Sequence, residues 1–537
     1  MAQQRGADLL ARTLKAAGVD RIFTLSGNHI MPVFDAALDA GIELIHVRHE
    51  AACVHMADAH AKLTGAPAVA MVTGGPGHAN AVSALYTALQ GESPVVLLSG
   101  HAPHDQLGLG AFQEMRQADM AAPATKAAWT ARGVDALGTD AVLALRIARS
   151  GRPGPVNLNL PTDALEAHTG ARPDAAGATA QAMPLNHDDA TTVAAWLAQG
   201  RRPLVLTGPV SMTRVGRLQA AALEDAAGIP VVGMESPRGV NDPSLGAFAQ
   251  MLSRADRVLL LGKRVDFTLK FGKAFAANAE VMQIDADPAE HARARRAFGN
   301  RLRLAAMADA ATALAGLARL ARQVRSAWRG EVRAAIAYRP AAWDHAASAL
   351  PGRLHPAAAC RPLQALLDSH PDSVLVSDGG EFGQWAQACL TAPNRLINGP
   401  AGAIGAGLPF AAGARVARPG VPIVAMMGDG TFGFHAMEID TAMRYRLPFV
   451  AAIGNDARWN AEYQIQLKAY GRERLVGCEL EPSRYDLVAA SFGAYGEMVD
   501  DPARLAAAAT RAHDSQRPAV LNIMIEGLPA PTLTQGN

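Results

Sequence analysis

Short apolar runs alternate with stretches of helical period along almost the whole chain, the pattern of parallel sheets covered by helices on both faces. In residues 1–165 the runs 21–25 (RIFTL), 43–47, 68–72 (AVAMV) and 95–98 predict strands, and a last strand from Gly154 is stopped by Pro161. Residues 166–186, rich in Ala, Gly, Pro and Thr without an apolar period, read as a linker. A second α/β segment follows over 187–325, with strands predicted at 203–206, 230–232, 257–261 and 281–285. A connector around a charged helix occupies 326–354, and the third segment, 355–537, holds strands predicted at 373–378, 423–427 and 449–453. Between the last two an amphipathic helix is predicted over 434–446. The expected fold class is therefore α/β, with three doubly wound parallel-sheet domains at 1–165, 187–325 and 355–537. The first and third share one strand-and-helix rhythm.

Length agrees with that division, since 537 residues are too many for one core. The formal net charge of +1 gives no electrostatic reason to expect nucleic acid or an anionic membrane as partner. Small molecules and further copies of the chain are the expected partners. The four cysteines, Cys53, Cys360, Cys389 and Cys478, are scattered without a CxxC pair and read as buried thiols in a reducing, cytoplasmic setting. The first 19 residues form an amphipathic helical pattern and lack the basic start and apolar core of a secretion signal. No run of 18 apolar residues predicts a membrane span, and the Ala/Gly-rich stretch 401–414, interrupted by Pro409, reads as a loop leading into a helix.

Candidate chemistry concentrates in residues 427–460. A strand ends in Gly428-Asp429-Gly430, a helix opens near Thr431, and the next strand ends at Asn455, with 24 residues (431–454) between Gly430 and Asn455. Both polar residues then lie at carboxyl ends of parallel strands, where open α/β sheets bind ligands. The glycines let backbone approach a bulky anion, and the helix start offers it unpaired N–H groups. A carboxylate and an amide oxygen beside a diphosphate suit Mg²⁺. A bare GDG is most often an ordinary turn; the spacing and the strand-helix-strand setting distinguish this one.

That spacing resembles the thiamine-diphosphate (ThDP) signature. Across essentially its whole length the chain resembles the ThDP-dependent decarboxylase and carboligase superfamily, closest in motif to the acetolactate synthase large subunit and benzaldehyde lyase. 2-Hydroxyacyl-CoA lyase and oxalyl-CoA decarboxylase are a little further off. The phrases carrying the resemblance are Arg48-His49-Glu50-Ala51-Ala52, Gly74-Gly75-Pro76-Gly77, Ala111-Phe112-Gln113-Glu114, Gly402-Ala403-Ile404-Gly405 and the GDG run.

The resemblance implies pyrimidine-binding, central and diphosphate-binding domains in that order. It implies Mg²⁺ held by Asp429, Asn455 and the carbonyl of Ala457, the family's doubled Asn being Gly454-Asn455 here, with the ligand kept. It assigns Gly379, Gly380, Gly428, Gly430 and Thr431 to the diphosphate, the Gly402 carbonyl to the 4′-amine, and Ile404 to the wedge beneath the two rings. Glu50 takes the place of the carboxylate beside N1′ of the aminopyrimidine, and His29 and Gln113 face the substrate. The implied activity is acetolactate synthase-like decarboxylation and carboligation of a 2-oxo acid. The alternatives are C–C cleavage of a 2-hydroxy ketone or 2-hydroxyacyl-CoA, and an inactive cofactor-binding subunit serving regulation or assembly.

In the central domain, acetolactate synthases usually carry G-A-R-F-D-D-R-V-T-G, whereas this chain has Gly262-Lys263-Arg264-Val265-Asp266-Phe267-Thr268-Leu269-Lys270-Phe271-Gly272. Lys270 stands where an acceptor-binding arginine is expected, and lysine is no bidentate equivalent. FAD or ADP in this domain is left open, Asp285 at a strand end being a nucleotide-type feature with an ordinary structural explanation beside it. The family resemblance also implies a homodimer or homotetramer with active sites at the chain interface. The small-residue helices at 51–62 and 401–414 are read as suited to such an interface.

Overall fold

Three parallel sheets follow one another along the chain, in a computed structural model that describes residues 3–534. The first sheet holds the strands Arg21–Thr24, Glu43–His46, Ala68–Val72, Val95–His101, Ala127–Thr130 and Val156–Pro161. Numbered by chain position they lie in the order 2-1-3-4-6-5. The third sheet, built from Val374–Asp378, Asn394–Ile397, Ile423–Gly428, Val450–Asn455, Tyr495–Val499 and Ala519–Met524, has the same order. The shared rhythm of the two segments is thus a shared topology. The central sheet has five strands, Pro203–Thr207, Val231–Gly233, Arg257–Leu261, Glu280–Asp285 and Leu302–Met307, ordered 2-1-3-4-5. Central strands such as Ala68–Val72 are buried throughout, as expected where helices cover both faces.

In each sheet the chain reverses its direction of winding between strands 1 and 3, which makes a crevice at their carboxyl ends. In the third sheet these are Val374–Asp378 and Ile423–Gly428, paired from Val374↔Ile423 to Asp378↔Met427. The loops leaving them carry Gly379-Gly380 and Gly428-Asp429-Gly430.

The chain divides into two compact units. One comprises residues up to 181 with 409–419 and 437–447; the other comprises 182–408, 420–436 and 448 onward. Two helical pieces of the third segment thus count with the first sheet. Within that unit, a Cβ on Gly413 would lie 2.5 Å from the Met56 carbonyl oxygen and 3.1 Å from Ala59 Cβ. The two small-residue helices offered above to an interface between chains therefore pack on each other within one chain, which already accounts for their small side chains. In the other unit the Arg395 guanidinium is buried 2.8 Å from Glu235, joining the central and third segments.

Two further differences from the sequence reading concern local structure. The helix expected over 434–446 is two helices, Asp429–His435 and Glu438–Arg444, and the first begins at the GDG aspartate with Gly428 extended before it. Gly430 and Gly433 conceal that start, because neither contributes to an apolar period. In the stretch read as linker, His168–Thr169 pairs antiparallel with Gln4–Arg5. No helix among the described residues is long and apolar enough to cross a membrane.

Candidate active site

At the carboxyl end of the first sheet, the strand Glu43–His46 leads into the helix Glu50–Thr64, of which Glu50 is the first residue. Its half-buried side chain accepts a hydrogen bond at Oε2 from Asn80 Nδ2, 3.0 Å away. A Cβ on Gly77 would lie 3.4 Å from Oε1, and 2.8 Å from Thr73 Cγ2, so the missing side chain leaves room between the two. Thr73 in turn contacts His29, whose Nδ1 is 3.1 Å from Thr73 Oγ1. His29 is 6% exposed and its ring stacks on Phe112 with centroids 6.1 Å apart. Burial pushes the imidazole pKa below its ordinary value, against the Phe112 carbonyl, which raises it. At neutral pH the ring is therefore uncharged, with one N–H donor and one acceptor nitrogen.

Gln113 adopts a left-handed backbone (φ 57°) and packs its own backbone and Cβ against Gly75. The structure thus gathers Glu50, His29 and Gln113 around the turn at Gly74–Gly77. That turn is set by a residue the motif reading passes over. Gln117, buried, accepts from Gly75 N–H at 2.8 Å through Oε1 and donates through Nε2 to the Gly100 carbonyl and Asn159 Oδ1, both at 3.0 Å.

At the carboxyl end of the third sheet, Gly379, Gly380, Gly402, Ile404, Gly428, Asp429, Gly430 and Thr431 line one pocket of about 200 Å³. Gly379 (φ 57°) opens the helix Gly380–Cys389 without a side-chain cap, so the N–H groups of its first turn face outward. A Cβ on Gly379 would overlap Thr431 Oγ1 and press on Ile404 Cγ2, and one on Gly430 would meet the Trp459 ring at 2.7 Å. The glycines thus let Thr431, Ile404 and Trp459 pack directly on the backbone around a pocket beside a helix N-terminus.

Asp429 is 2% exposed; its Oδ1 accepts from Gly430 N–H at 2.9 Å, while Oδ2 is buried with no hydrogen-bond partner. Burial pushes this carboxyl up to about 6, with the nearby N–H groups of Gly430, Ala457 and Arg458 pulling the other way. Asn455 is 0% exposed and does not itself line the pocket, although Gly454 and Asp456 on either side of it do. Its Nδ2 donates to the Ser483 carbonyl at 2.9 Å and to Asn522 Oδ1 at 3.1 Å, leaving Oδ1 buried and unpartnered. Ala457 has φ 58°, and its carbonyl accepts from Leu480 N–H at 2.7 Å, with a second lone pair remaining.

Two buried, unpartnered oxygens are costly unless something binds them. An oxygen-seeking cation beside a diphosphate supplies that partner, so these residues fit Mg²⁺ and ThDP. Asn522, which holds the Asn455 side chain, belongs to no motif, and nothing local in the sequence marks it.

Other residues of interest lie elsewhere. None of residues 262–272 lines the pocket. Arg264 Nε is 3.5 Å from Glu290, Lys263 Nζ donates to Thr268 Oγ1 at 2.6 Å, and Lys270 is exposed. Asp285 is buried, and its Oδ1 accepts from Asp287 N–H at the turn into the helix Pro288–Phe298. The pocket instead receives Arg238 from the central segment, its guanidinium 3.2 Å from Glu381.

Comparison with known proteins agrees with this geometry. Residues 4–120 match the family "Thiamine pyrophosphate enzyme, N-terminal TPP binding domain", and residues 378–523 match "Thiamine pyrophosphate enzyme, C-terminal TPP binding domain". The chain is 34% identical over 540 residues to the acetolactate synthase large subunit IlvG of Mycobacterium tuberculosis, covering 96% of this chain and 95% of that protein. It is 31% identical over 583 residues to the 2-hydroxyacyl-CoA lyase 2 of Bos taurus, covering 97% and 90%. The human 2-hydroxyacyl-CoA lyase 2 is 29% identical at the same coverage. With both cofactor-binding domains matched and homology running end to end, the chain belongs to the ThDP-dependent decarboxylase and carboligase superfamily, among its acetolactate synthase-like enzymes.

Proposed function

We propose that this enzyme uses ThDP and Mg²⁺ to decarboxylate a 2-oxo acid and transfer the acyl unit to an acceptor carbonyl. The observation that carries the cofactor reading is the pair of buried, unpartnered oxygens, Asp429 Oδ2 and Asn455 Oδ1, beside a glycine-lined pocket. In this reading Asp429, Asn455 and the Ala457 carbonyl hold Mg²⁺. Gly379, Gly380, Gly428, Gly430 and Thr431 receive the diphosphate, and the Gly402 carbonyl and Ile404 meet the rings. When bound, ThDP supplies a carbon nucleophile and an electron sink for the carbonyl substrate.

Glu50 holds a proton at Oε for N1′ of the aminopyrimidine, while Asn80 fixes its other oxygen. His29, neutral at pH 7, gives or takes a proton at the substrate oxygen, with Thr73 setting the ring's orientation. Gln113 supplies amide donors to the substrate. The 2-oxo acid preference follows the relatives named acetolactate synthase.

A second reading is favoured by the relatives named 2-hydroxyacyl-CoA lyase 2 and by the engagement of Arg264 within the central segment. There the substrate is a 2-hydroxyacyl-CoA, and a C–C bond is cleaved without loss of CO₂. Purified protein with ThDP and Mg²⁺ distinguishes them: CO₂ release from pyruvate supports the first, and aldehyde release from a 2-hydroxyacyl-CoA with no CO₂ from pyruvate replaces it by the second. The functional form is a homodimer or homotetramer with sites at the chain interface.

A further inference from the structure

The turn that presents Glu50 is held from outside its own sheet. Glu43–His46 is an edge strand, paired only with Arg21–Thr24, so one row of its backbone groups needs other partners. The helix Glu438–Arg444 and the residue after it supply them. Tyr445 Oη accepts from His46 N–H at 2.8 Å and donates to the Leu44 carbonyl at 3.0 Å, and Arg444 Nη2 donates to the His46 carbonyl at 2.7 Å.

Beyond the strand, Glu438 takes over. Its carboxylate accepts the Arg48 N–H at 3.1 Å through Oε1 and at 3.3 Å through Oε2, with the His49 N–H close by. Thr441 Oγ1 donates to Oε2 at 2.6 Å. Glu438 is 2% exposed, and Cys53, one turn into the Glu50 helix, feels both Glu438 and Glu50, each raising its thiol pKa. A buried carboxylate is costly to keep for packing alone, and this one is spent on the two peptide groups preceding Glu50.

We infer that Glu438 is a positioning residue, whose carboxylate fixes the backbone at 48–49 and so aims Glu50 at the pyrimidine nitrogen. The inference rests on the proposed role of Glu50. Proton transfer tolerates little displacement: roughly 1 Å of misplacement costs about 10²-fold. Losing the anchor lets the 47–50 turn drift while the diphosphate pocket, built from other residues, is untouched.

The test follows exchange of the ThDP C2 proton by NMR in the Mg²⁺-loaded protein, beside calorimetric ThDP affinity and thermal melting. Wild type, Glu50→Gln, Glu438→Ala and Glu438→Gln are compared. Glu50→Gln should slow exchange about 10²-fold or more. Glu438→Ala should slow it about 10-fold or more while ThDP affinity stays near wild type. Glu438→Gln, whose amide oxygen still accepts the Arg48 N–H, should recover most of the loss. If Glu438→Ala does not fold, Glu438→Asp takes its place, since the shorter acid cannot hold both peptide groups, and the same slowing is expected.

Slowed exchange in Glu50→Gln beside unchanged exchange in the folded Glu438 variants overturns the inference alone. Equal rates in wild type and Glu50→Gln overturn the reading of Glu50 and this inference with it. Parallel loss of affinity, exchange and melting temperature in both Glu438→Asp and Glu438→Gln would make the residue merely structural.

Discussion

Replacing Asn522 by alanine should weaken metal binding without touching any metal ligand. Asn522 sits in the strand Ala519–Met524 beside the strand that ends in Asn455, both side chains being 0% exposed. Its Nδ2 donates to the Ser483 carbonyl at 3.0 Å and to Asp486 Oδ1 at 3.3 Å, which leaves its Oδ1 to accept from Asn455. Two acceptors, Ser483 O and Asn522 Oδ1, thereby hold the Asn455 amide by its nitrogen and leave its buried oxygen unpartnered. Alanine removes one of them and leaves Ser483 and Asp486 each short of a donor, for a stability loss of about 1–3 kcal/mol. Loss of an outer partner that orients a ligand typically weakens a metal site about 10–100-fold. Calorimetric titration of Mg²⁺ into the ThDP-saturated variant, with melting to confirm the folded fraction, reads this directly. A destabilised but folded variant with wild-type Mg²⁺ affinity would refute the claim that Asn455 is oriented for a metal.

Gly379→Ala should lose ThDP affinity by calorimetry and cost about 1–2 kcal/mol in denaturant unfolding, because the left-handed backbone (φ 57°) penalises a Cβ that would also overlap Thr431 Oγ1. Asp378 should make the apoprotein less stable as pH rises. Burial pushes its carboxyl up to about 7, against the Gly407 and Gly405 N–H groups that lower it. Between about pH 4 and 7 the folded state keeps a proton that the unfolded chain releases, so this contribution is full below the unfolded value and is lost as pH rises through the folded one. Melting curves of Asp378→Asn should fall less steeply with pH than those of wild type, the raised carboxyl of Asp429 keeping its own share of the decline. If active sites form between chains, mixing inactive Glu50→Gln with inactive Asp429→Ala should restore some turnover after subunit exchange; mixtures that stay dead despite proven exchange would place each site within one chain.

The sequence disclosed the interior of the fold better than its margins. The sequence marks Ala68–Val72 and Arg257–Leu261 to the residue, because the first is a pure apolar run and the second an apolar run opened by a single arginine. The sequence does not mark Ala127–Thr130, Leu302–Met307, Asn394–Ile397 or Tyr495–Val499, all four edge strands; three are exposed enough to accept mixed residues, while Asn394–Ile397 is mostly buried but short and carries Asn and Arg. Ala519–Met524 is fully buried yet does not stand out in the sequence. Asn522 interrupts its apolar run, and that same residue holds the side chain of Asn455, the proposed metal ligand.

The motif residues stand out because the chemistry proposed for them demands fixed local spacing. Gln117, Asn522 and Glu438 act on residues 42, 67 and 390 positions away, and nothing local marks such pairs. Identical strand order in the first and third sheets was likewise invisible beyond a common rhythm, since pairing is decided by contacts between distant segments.

Asp429 and Asn455 are proposed to hold the cofactor through a metal. Calorimetric titration of ThDP into wild type and Asp429→Ala, each with Mg²⁺ and with a chelator, tests this most directly. Saturable ThDP binding only in wild type with Mg²⁺, the variant remaining folded, is the expected result. Undiminished ThDP binding in Asp429→Ala, or in wild type with chelator present, would contradict it.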